Sequence, residues 1–157
     1  SGAVGESAVQ IARMLGATVD GSCSAEAGQR AHDLGVISVF DYRTTNISKI
    51  AERYDVVYDT STTMEVAVGL GLLRKDGVFL DINPTPGKFI RALFNRRLKP
   101  IVCTARADIL DELARAASQG KLKLPVAKIV PLKEAIPLVI ALEQGRKLNG
   151  KGLVSID

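Results

Sequence analysis

The sequence predicts an α/β fold built on a doubly wound, largely parallel sheet in three layers, α/β/α. Short apolar segments alternate with amphipathic helical segments, which is the pattern of strands connected by crossover helices. The strand segments are apolar on both sides, as expected for parallel strands covered by helices. Of the 157 residues, 46% are hydrophobic and 24% are charged, which suits one domain with a well-developed core. We predict that residues 1–125 form this domain and that residues 126–157 form a C-terminal extension.

The predicted elements follow one another in a regular order. Helices have apolar residues at three- and four-residue spacing, and Gly16, Gly35 and Gly120 end three of them. The predicted helices are residues 6–15, 25–34, 47–53, 64–73, 89–94 and 108–118. The predicted strands are residues 17–22, 36–40, 55–58, 78–82 and 101–104, with a turn at 75–77 before the fourth. In the extension we predict strands at 126–130 and 153–156 and a helix at 132–142, with Pro137 near its first turn, where proline is best tolerated.

Charge and composition argue against several classes of function. The net charge is +4, and a basic cluster lies at residues 91–99, but aromatic residues are only 4% and tryptophan is absent. A stacking platform for nucleic acid needs aromatic residues among the basic ones, so a solvated helix face is the preferred interpretation. No apolar run approaches the ~20 residues of a membrane span, and no secretory leader is visible. We therefore expect neither nucleic acid nor a membrane as a partner.

The two cysteines, Cys23 and Cys103, are far apart in the sequence and form neither a metal motif nor a disulfide framework. This usage is typical of a reducing compartment, and we expect a cytoplasmic protein without a metal site.

A glycine turn opens the first helix. Between Gly2 and Gly5 small side chains allow a phosphate to approach the backbone, and the helix start supplies amide donors and partial positive charge. The alternative interpretation is a tight turn without a ligand. A doubly wound fold should have a buried strand before such a turn, and none precedes it here. The sequence is therefore interpreted as a fragment or a truncated coding sequence.

A series of short motifs accompanies this turn in a fixed order along the chain. They are Gly2-Ala3-Val4-Gly5, Leu15-Gly16-Ala17, Asp33-Leu34-Gly35-Val36, Asp41-Tyr42-Arg43, Asp55-Val56-Val57-Tyr58-Asp59, Lys75-Asp76-Gly77-Val78, Gly120-Lys121-Leu122, Val130-Pro131-Leu132-Lys133-Glu134-Ala135 and Gly150-Lys151-Gly152-Leu153-Val154. Together they resemble the cofactor-binding domain of the medium-chain dehydrogenase/reductases, in the quinone-oxidoreductase branch. The resemblance covers essentially the whole chain and implies a Rossmann-type fold.

The resemblance also implies an activity. The parent enzyme would transfer a hydride from NADPH to a quinone or an α,β-unsaturated carbonyl compound, without zinc and as a homodimer. The C-terminal extension would join a catalytic domain that this chain lacks. Pairing of two chains through the strand at 101–104 is a possible mode of assembly. A zinc-dependent alcohol dehydrogenase fragment and a non-catalytic nucleotide-binding or interaction module are the alternatives.

The same resemblance indicates where a cofactor would bind. Gly2, Ala3, Val4 and Gly5 would face the pyrophosphate. At the end of the second strand of the family fold stand Cys23 and Ser24, without the acid of an NAD site. Ser24 would donate to the 2′-phosphate with Arg30 one helical turn on, and Tyr42 would lie beside the adenine ribose. NADP is therefore expected ahead of NAD. A shift of one or three residues in the alignment to the family would make Asp20 the acid of an NAD site and reverse this preference. The alternative is that Asp20 only forms local hydrogen bonds at the end of its strand.

Polar residues follow two later strands, where doubly wound sheets bind ligands. Thr60 and Ser61 would contact a ribose and Asn83 the carboxamide, unless they only cap the next helices. Lys151 matches a polar cofactor contact of the family. No catalytic acid or base is assigned, and His32, the single histidine, is interpreted as structural.

Overall fold

The computed structural model describes residues 2–50, 53–123, 125–146, 148 and 150–156. The chain comprises two compact units, residues 1–109 and residues 110–157, which are described separately. All strand pairs that the structure describes are parallel, and strands alternate with helices in the first unit. The predicted α/β class is confirmed.

The first half of the first unit is a two-stranded parallel sheet with two helices. Its elements are α1 (Ala3–Met14), β1 (Gly21–Cys23), α2 (Ala25–Asp33) and β2 (Val39–Asp41). Gly21 pairs with Val39 and Cys23 pairs with Asp41. A small core lies beneath this sheet, because the apolar faces of α1 and α2 meet the strands there. It consists of buried Cys23, Ala27, Ala31 and Val36, with Val9, Val19 and Val39 packed against them.

The second half of the first unit is a three-stranded parallel sheet in the order β3-β4-β5. Its elements are a 3₁₀ turn (Ile47–Lys49), β3 (Tyr54–Asp59), α3 (Val66–Gly71), β4 (Leu73–Asp81), α4 (Pro86–Phe94) and β5 (Leu98–Pro100). The core of this half is centred on Phe79 and Leu98, whose exposures are 0% and 1%. Within the described residues no backbone ladder joins β1 to β3. Side chains link the two sheets instead, since Tyr54 Oη donates to Asp20 Oδ2 at 3.1 Å.

Three predicted strands are displaced. The segments 17–22 and 36–40 were expected as strands, whereas the paired residues are Gly21–Cys23 and Val39–Asp41. The predicted strand at 101–104 is wrong, and the pairing strand is Leu98–Pro100. The reason is the length of β4: it ends at Asp81, whose carbonyl accepts from Ile101 N, so residues beyond 101 find no neighbouring strand.

The predicted turn at 75–77 is also wrong, because these residues belong to β4 as an irregularity within the strand. Tyr54 pairs with Leu73, but Val56 pairs with Val78, so extra residues bulge out between the two pairs. Gly77 is required there, because a Cβ would lie 2.7 Å from the Tyr54 carbonyl oxygen.

The predicted helices agree with the structure in number and approximate position. The helix expected at 47–53 is represented by the 3₁₀ turn, and Ala51 and Glu52 of that segment lie outside the described residues. Pro86 begins α4 three residues before the predicted start, since Thr85 caps this helix by accepting a hydrogen bond from Lys88 N.

The second unit contains a parallel strand pair and the α-helix that connects the two strands. Its elements are α5 (Ala107–Ser118, which begins just before the division), β6 (Val126–Pro131), a 3₁₀ turn (Leu132–Glu134), α6 (Ala135–Glu143) and β7 (Lys151–Ser155). The helix predicted at 132–142 is therefore divided into two parts, with Pro137 in the first turn of the second. None of the helices that the structure describes is long and apolar enough to cross a membrane.

Candidate functional site

The glycine turn lies at the start of α1 and near the end of β3. Gly2 is the N-cap in extended conformation, and Gly2, Ala3 and Val4 are exposed. A Cβ on Gly5 would lie 3.2 Å from Thr60 Oγ1, so the helix start and the residue after β3 approach closely and a side chain at position 5 would crowd Thr60. The first amides of a helix have no carbonyl partner within it and carry partial positive charge. The structure thus brings an exposed set of amide donors to the carboxyl end of the sheet.

The residues after β3 form a polar turn around a buried carboxylate. Asp59, only 3% exposed, accepts from Ser61 N at 2.9 Å, Ser61 Oγ at 2.7 Å and Met64 N at 3.0 Å. Neither Thr60 nor Ser61 caps a helix, because α3 begins at Val66. The Ser61 hydroxyl donates to Asp59 and accepts from Thr63 N at 3.3 Å, whereas Thr60 lies beside the glycine turn.

The residues after β4 surround a second buried carboxylate, at the same register as the first on the neighbouring strand. Asp81 pairs with Asp59 in the sheet and has 0% exposure. Its Oδ1 accepts from Asn83 N at 2.8 Å, and its Oδ2 lies 2.5 Å from Lys88 Nζ on α4. Sequence analysis missed Asp81 and Lys88. The sequence did carry a signal for this pair: an acidic residue ends an apolar strand. A carboxylate buried there requires a charged or hydrogen-bonding partner.

The carboxyl ends of β1 and β2 bring together three residues of the predicted cofactor site. Cys23 is 4% exposed and its side chain belongs to the core, so only its backbone faces this edge. Ser24 is the N-cap residue of α2. Tyr42 is exposed, and its amide donates to the Cys23 carbonyl at 3.3 Å.

A charged pair that sequence analysis did not select lies in the same place. Arg43 Nη1 is 3.0 Å from Glu26 Oε1, and the guanidinium lies over the Tyr42 ring, 5.6 Å from its centroid. A hydrogen bond from Ser24, supported by the Glu26 amide and by Arg43, lowers the pKa of Glu26 from 4.5 to about 2. The hydrogen bond to Glu26 likewise raises the pKa of Arg43. Both side chains are therefore fully charged at neutral pH.

Arg30 and Asp20 are engaged elsewhere. Arg30 Nε lies 2.8 Å from Glu6 Oε1, so its charge is directed at α1. Asp20 accepts from Ser38 N at 3.1 Å and from Tyr54 Oη at 3.1 Å, which is the local hydrogen bonding expected as the alternative to an NAD-type acid.

Lys151 and His32 remain to be described. Lys151 is exposed at the start of β7, in the second unit, where its amide donates to the Pro125 carbonyl at 2.7 Å. Its role in a cofactor site stays a prediction. His32 Nδ1 lies 2.9 Å from the Val36 carbonyl oxygen, in keeping with a structural role.

Comparison with known proteins decides the family. Residues 34–154 match the family model described as "Zinc-binding dehydrogenase". The chain belongs to the zinc-binding dehydrogenase family. Although the family takes its name from zinc, the described part of this chain has no group of three or more His, Cys, Asp or Glu residues that could hold a metal ion.

Similar proteins of this zinc-binding dehydrogenase include quinone oxidoreductases, in keeping with the branch that its motifs resemble. A chloroplast envelope quinone oxidoreductase homolog of Arabidopsis thaliana is 26% identical over 145 residues, which are 86% of this chain and 44% of the relative. A 2-haloacrylate reductase structure is 26% identical, with a TM-score of 0.79 over 99% of this chain and 55% of its own. The Escherichia coli quinone oxidoreductase complexed with NADPH is 22% identical and has a TM-score of 0.72, covering 99% and 54%. The Rossmann-type fold is thus confirmed, and the chain spans about half the length of these proteins.

Proposed function

We propose that this chain is the NADP(H)-binding portion of an oxidoreductase that transfers a hydride to a quinone or an α,β-unsaturated carbonyl compound. The observation that carries the proposal is the placement of the glycine turn. Exposed amides of α1 lie beside Thr60 at the carboxyl end of β3, with no side chain at position 5 between them. That edge of a parallel sheet is where doubly wound folds bind dinucleotides. The residues present therefore fit the cofactor.

Each part of the cofactor has residues of this chain to bind it. The amides of Ala3 and Val4 would hold the pyrophosphate, aided by the helix dipole. Ser61 and Asn83, at the ends of β3 and β4, would orient the ribose and carboxamide of the nicotinamide half. Ser24 and Tyr42 would bind the adenosine half at the ends of β1 and β2. The bound nicotinamide supplies the hydride, and the protein binds it, orients it and excludes water.

The choice of substrate class rests on relatives, not on this chain's side chains. One relative is named a quinone oxidoreductase homolog and another a 2-haloacrylate reductase. Both names fit acceptors whose electron-poor double bonds take up a hydride. We assign no catalytic acid or base among the described residues, and the acceptor would bind to a parent enzyme about twice as long as this chain.

Assembly and location are part of the proposal. We propose a homodimer acting on a small molecule. One edge available for pairing is β5, which ends its sheet in place of the strand expected at 101–104. We propose a cytoplasmic setting only because the two cysteines form no disulfide framework. The name of the Arabidopsis relative assigns that protein to the chloroplast envelope.

A calorimetric titration of the folded chain with NADPH and with NADH tests the proposal. NADPH should bind saturably and more tightly than NADH. The variant Gly2→Val should weaken the binding of both at least tenfold, because its side chain would occupy the space of the pyrophosphate. Nothing lies within 4 Å of a Cβ at Gly2, so the variant fits the protein itself.

Gly87→Val is the matched control, since Gly87 is also exposed with open space around its Cβ but lies within α4. It should leave both affinities within about twofold. Failure of the unmodified, folded chain to bind either cofactor would contradict the proposal and favour a non-catalytic interaction module.

A further inference from the structure

Two buried carboxylates lie side by side at the carboxyl ends of β3 and β4. Asp59 and Asp81 are register partners on neighbouring parallel strands, so their side chains lie on the same face of the sheet. Both residues are buried, which shows that this is the core face. The same strand ends carry Ser61 and Asn83, which the proposed function assigns to the nicotinamide half of the cofactor.

The partners of the two acids favour the charged form of each. Asp59 accepts hydrogen bonds from two backbone amides and from the Ser61 hydroxyl, which together engage both of its oxygens. A protonated carboxyl group would have to direct its own hydrogen at one of these donors. Asp81 accepts from the Asn83 amide, and its other oxygen lies 2.5 Å from the Lys88 ammonium. Both acids therefore hold a negative charge.

The charges of this cluster do not cancel. Lys88 forms an ion pair with Asp81, whereas Asp59 has no ammonium or guanidinium partner among the described residues. Two carboxylates and one ammonium leave one negative charge at the ends of the strands. Because all three side chains are largely removed from water, this charge acts strongly on any other charge that binds nearby.

A nicotinamide ring changes its charge when it reacts. The ring is neutral in NADPH and carries one positive charge in NADP⁺, once its hydride has passed to the acceptor. Resting on the proposed function, we infer that Asp59, Asp81 and Lys88 form a net negative cluster that stabilises bound NADP⁺ relative to bound NADPH. The cluster thereby makes bound NADPH a stronger hydride donor. A tenfold contribution to the ratio of the two affinities lowers the two-electron potential of the bound cofactor by about 30 mV.

A purely structural role for the cluster has a different consequence. If Asp59 and Asp81 only hold the turns at Ser61 and Asn83, their loss would weaken the binding of NADPH and NADP⁺ by the same factor. An electrostatic role changes the ratio of the two affinities, in a direction set by the sign of the charge that is removed. The decisive quantity is therefore the dissociation constant of NADPH divided by that of NADP⁺, which we call the oxidation ratio.

Two substitutions change the charge of the cluster in opposite directions. Asp59→Asn keeps the size of the side chain but neutralises the cluster, and it should lower the oxidation ratio about tenfold. Lys88→Met doubles the negative charge and should raise the ratio about tenfold. Calorimetric titrations with NADPH and with NADP⁺ measure both constants. The shifts should persist between about 0.05 M and about 0.5 M salt, because buried charges are screened less than exposed ones.

Each variant has a matched control on the same sheet. Asp55→Asn is the same substitution on the same strand as Asp59→Asn, but Asp55 is exposed near the opposite end of β3. Lys75→Met is the control for Lys88→Met, since Lys75 is an exposed lysine of β4. Both controls should leave the oxidation ratio within about twofold, because water screens exposed charges.

A nucleotide fragment shows which half of the cofactor responds. The fragment 2′,5′-ADP lacks the nicotinamide, so its affinity should change by less than about twofold in Asp59→Asn and in Lys88→Met. Circular dichroism establishes that each variant is folded at the temperature of the titration. If Lys88→Met does not fold, Asp59→Asn and its control Asp55→Asn decide the matter.

The results that would overturn the inference can be told apart from failure of the proposed function. If the unmodified chain binds both forms of the cofactor but Asp59→Asn leaves the oxidation ratio unchanged, the cluster does not act on the charge of the ring. Shifts of the ratio in the same direction in Asp59→Asn and Lys88→Met would equally overturn it. In both cases the proposed function stands. If the folded, unmodified chain binds neither NADPH nor NADP⁺, the proposed function fails and the inference fails with it.

Discussion

The buried carboxylate of Asp81 depends on a single cation. Asp81 has no exposed surface, and Lys88, 16% exposed, contacts its Oδ2. Removing one partner of a buried ion pair leaves the other charge uncompensated in a medium of low polarity. Lys88→Met, which keeps the apolar stem, should therefore lower the free energy of unfolding by about 3–5 kcal/mol. Urea denaturation measures this change.

The exposed pair of Asp55 and Arg74 is the control for that experiment. Asp55→Asn should change the free energy of unfolding by less than about 0.5 kcal/mol, because water compensates an exposed charge. Equal losses in Lys88→Met and Asp55→Asn would show that the Asp81 pair has no special role in the fold.

Tyr58 should make stability fall at high pH. Burial, and secondarily the neighbouring Cys103 thiol, raises the pKa of Tyr58 above its ordinary 10.0. The folded state therefore holds this proton more tightly than the unfolded state. Its contribution to stability is complete below pH 10 and is lost as the pH rises through the higher folded value. Melting temperature should decline less between about pH 9 and pH 11 in Tyr58→Phe than in the unmodified chain; an identical decline would contradict the pKa shift.

At the scale of elements, the bulge in β4 depends on a missing side chain. A Cβ at Gly77 would meet backbone oxygens of Tyr54 and Asp55 at 2.7 and 3.0 Å, and backbone cannot rotate aside. Arg97 fixes the same bulge, since its Nε donates to the Gly77 carbonyl and its Nη2 to the Arg74 carbonyl. Gly77→Ala should destabilise the fold by about 1–3 kcal/mol in thermal or urea unfolding.

Gly87→Ala is the comparison for this variant, because its Cβ would meet nothing within 4 Å. Alanine at an unhindered helical glycine should stabilise the chain by roughly 0.4–1 kcal/mol. If Gly77→Ala leaves the free energy of unfolding unchanged, the strand accommodates a side chain there. The bulge is then not fixed by close backbone contact.

The sequence predicted helices well where the spacing of apolar residues and the capping residues indicate the same boundaries. The helix at 25–34 begins after Ser24 and ends at Gly35, and the structure has it at Ala25–Asp33. Strand positions were less predictable, because pairing is decided by a neighbour distant in sequence. The segment 101–104 is apolar and β-branched in part, yet β4 ends before it, so it has no strand to pair with.

The parts of the candidate site that depend on the backbone, namely the glycine turn and the ends of strands, could be located from the sequence. Glycine spacing indicated the turn at residues 2–5, and the ends of strands indicated Thr60, Ser61 and Asn83. Pairings between side chains were not predictable. The motif that named Tyr42 also contained Arg43, but its partner Glu26 lies 17 residues away in sequence. For the same reason nothing in the sequence showed that Arg30 is held by Glu6.

At the scale of the whole molecule, the two units have different parts in the proposal. Every cofactor contact that is argued from geometry lies in residues 1–109, whereas Lys151 lies in the second unit. We therefore propose that the first unit binds a dinucleotide along the carboxyl ends of its strands. We propose that the second unit connects to the rest of a longer parent protein, as the resemblance to longer enzymes implies.

Chemical-shift mapping by ¹H–¹⁵N NMR tests this claim most directly, and the 16.7 kDa chain is small enough for it. On addition of NADPH, we expect saturable shifts in the amide signals along one edge of the first unit. The amides expected to respond are those of Ala3, Val4, Gly5, Ser24, Tyr42, Arg43, Thr60, Ser61 and Asn83. An absence of shifts in the folded chain, or shifts confined to residues 110–157, would contradict it.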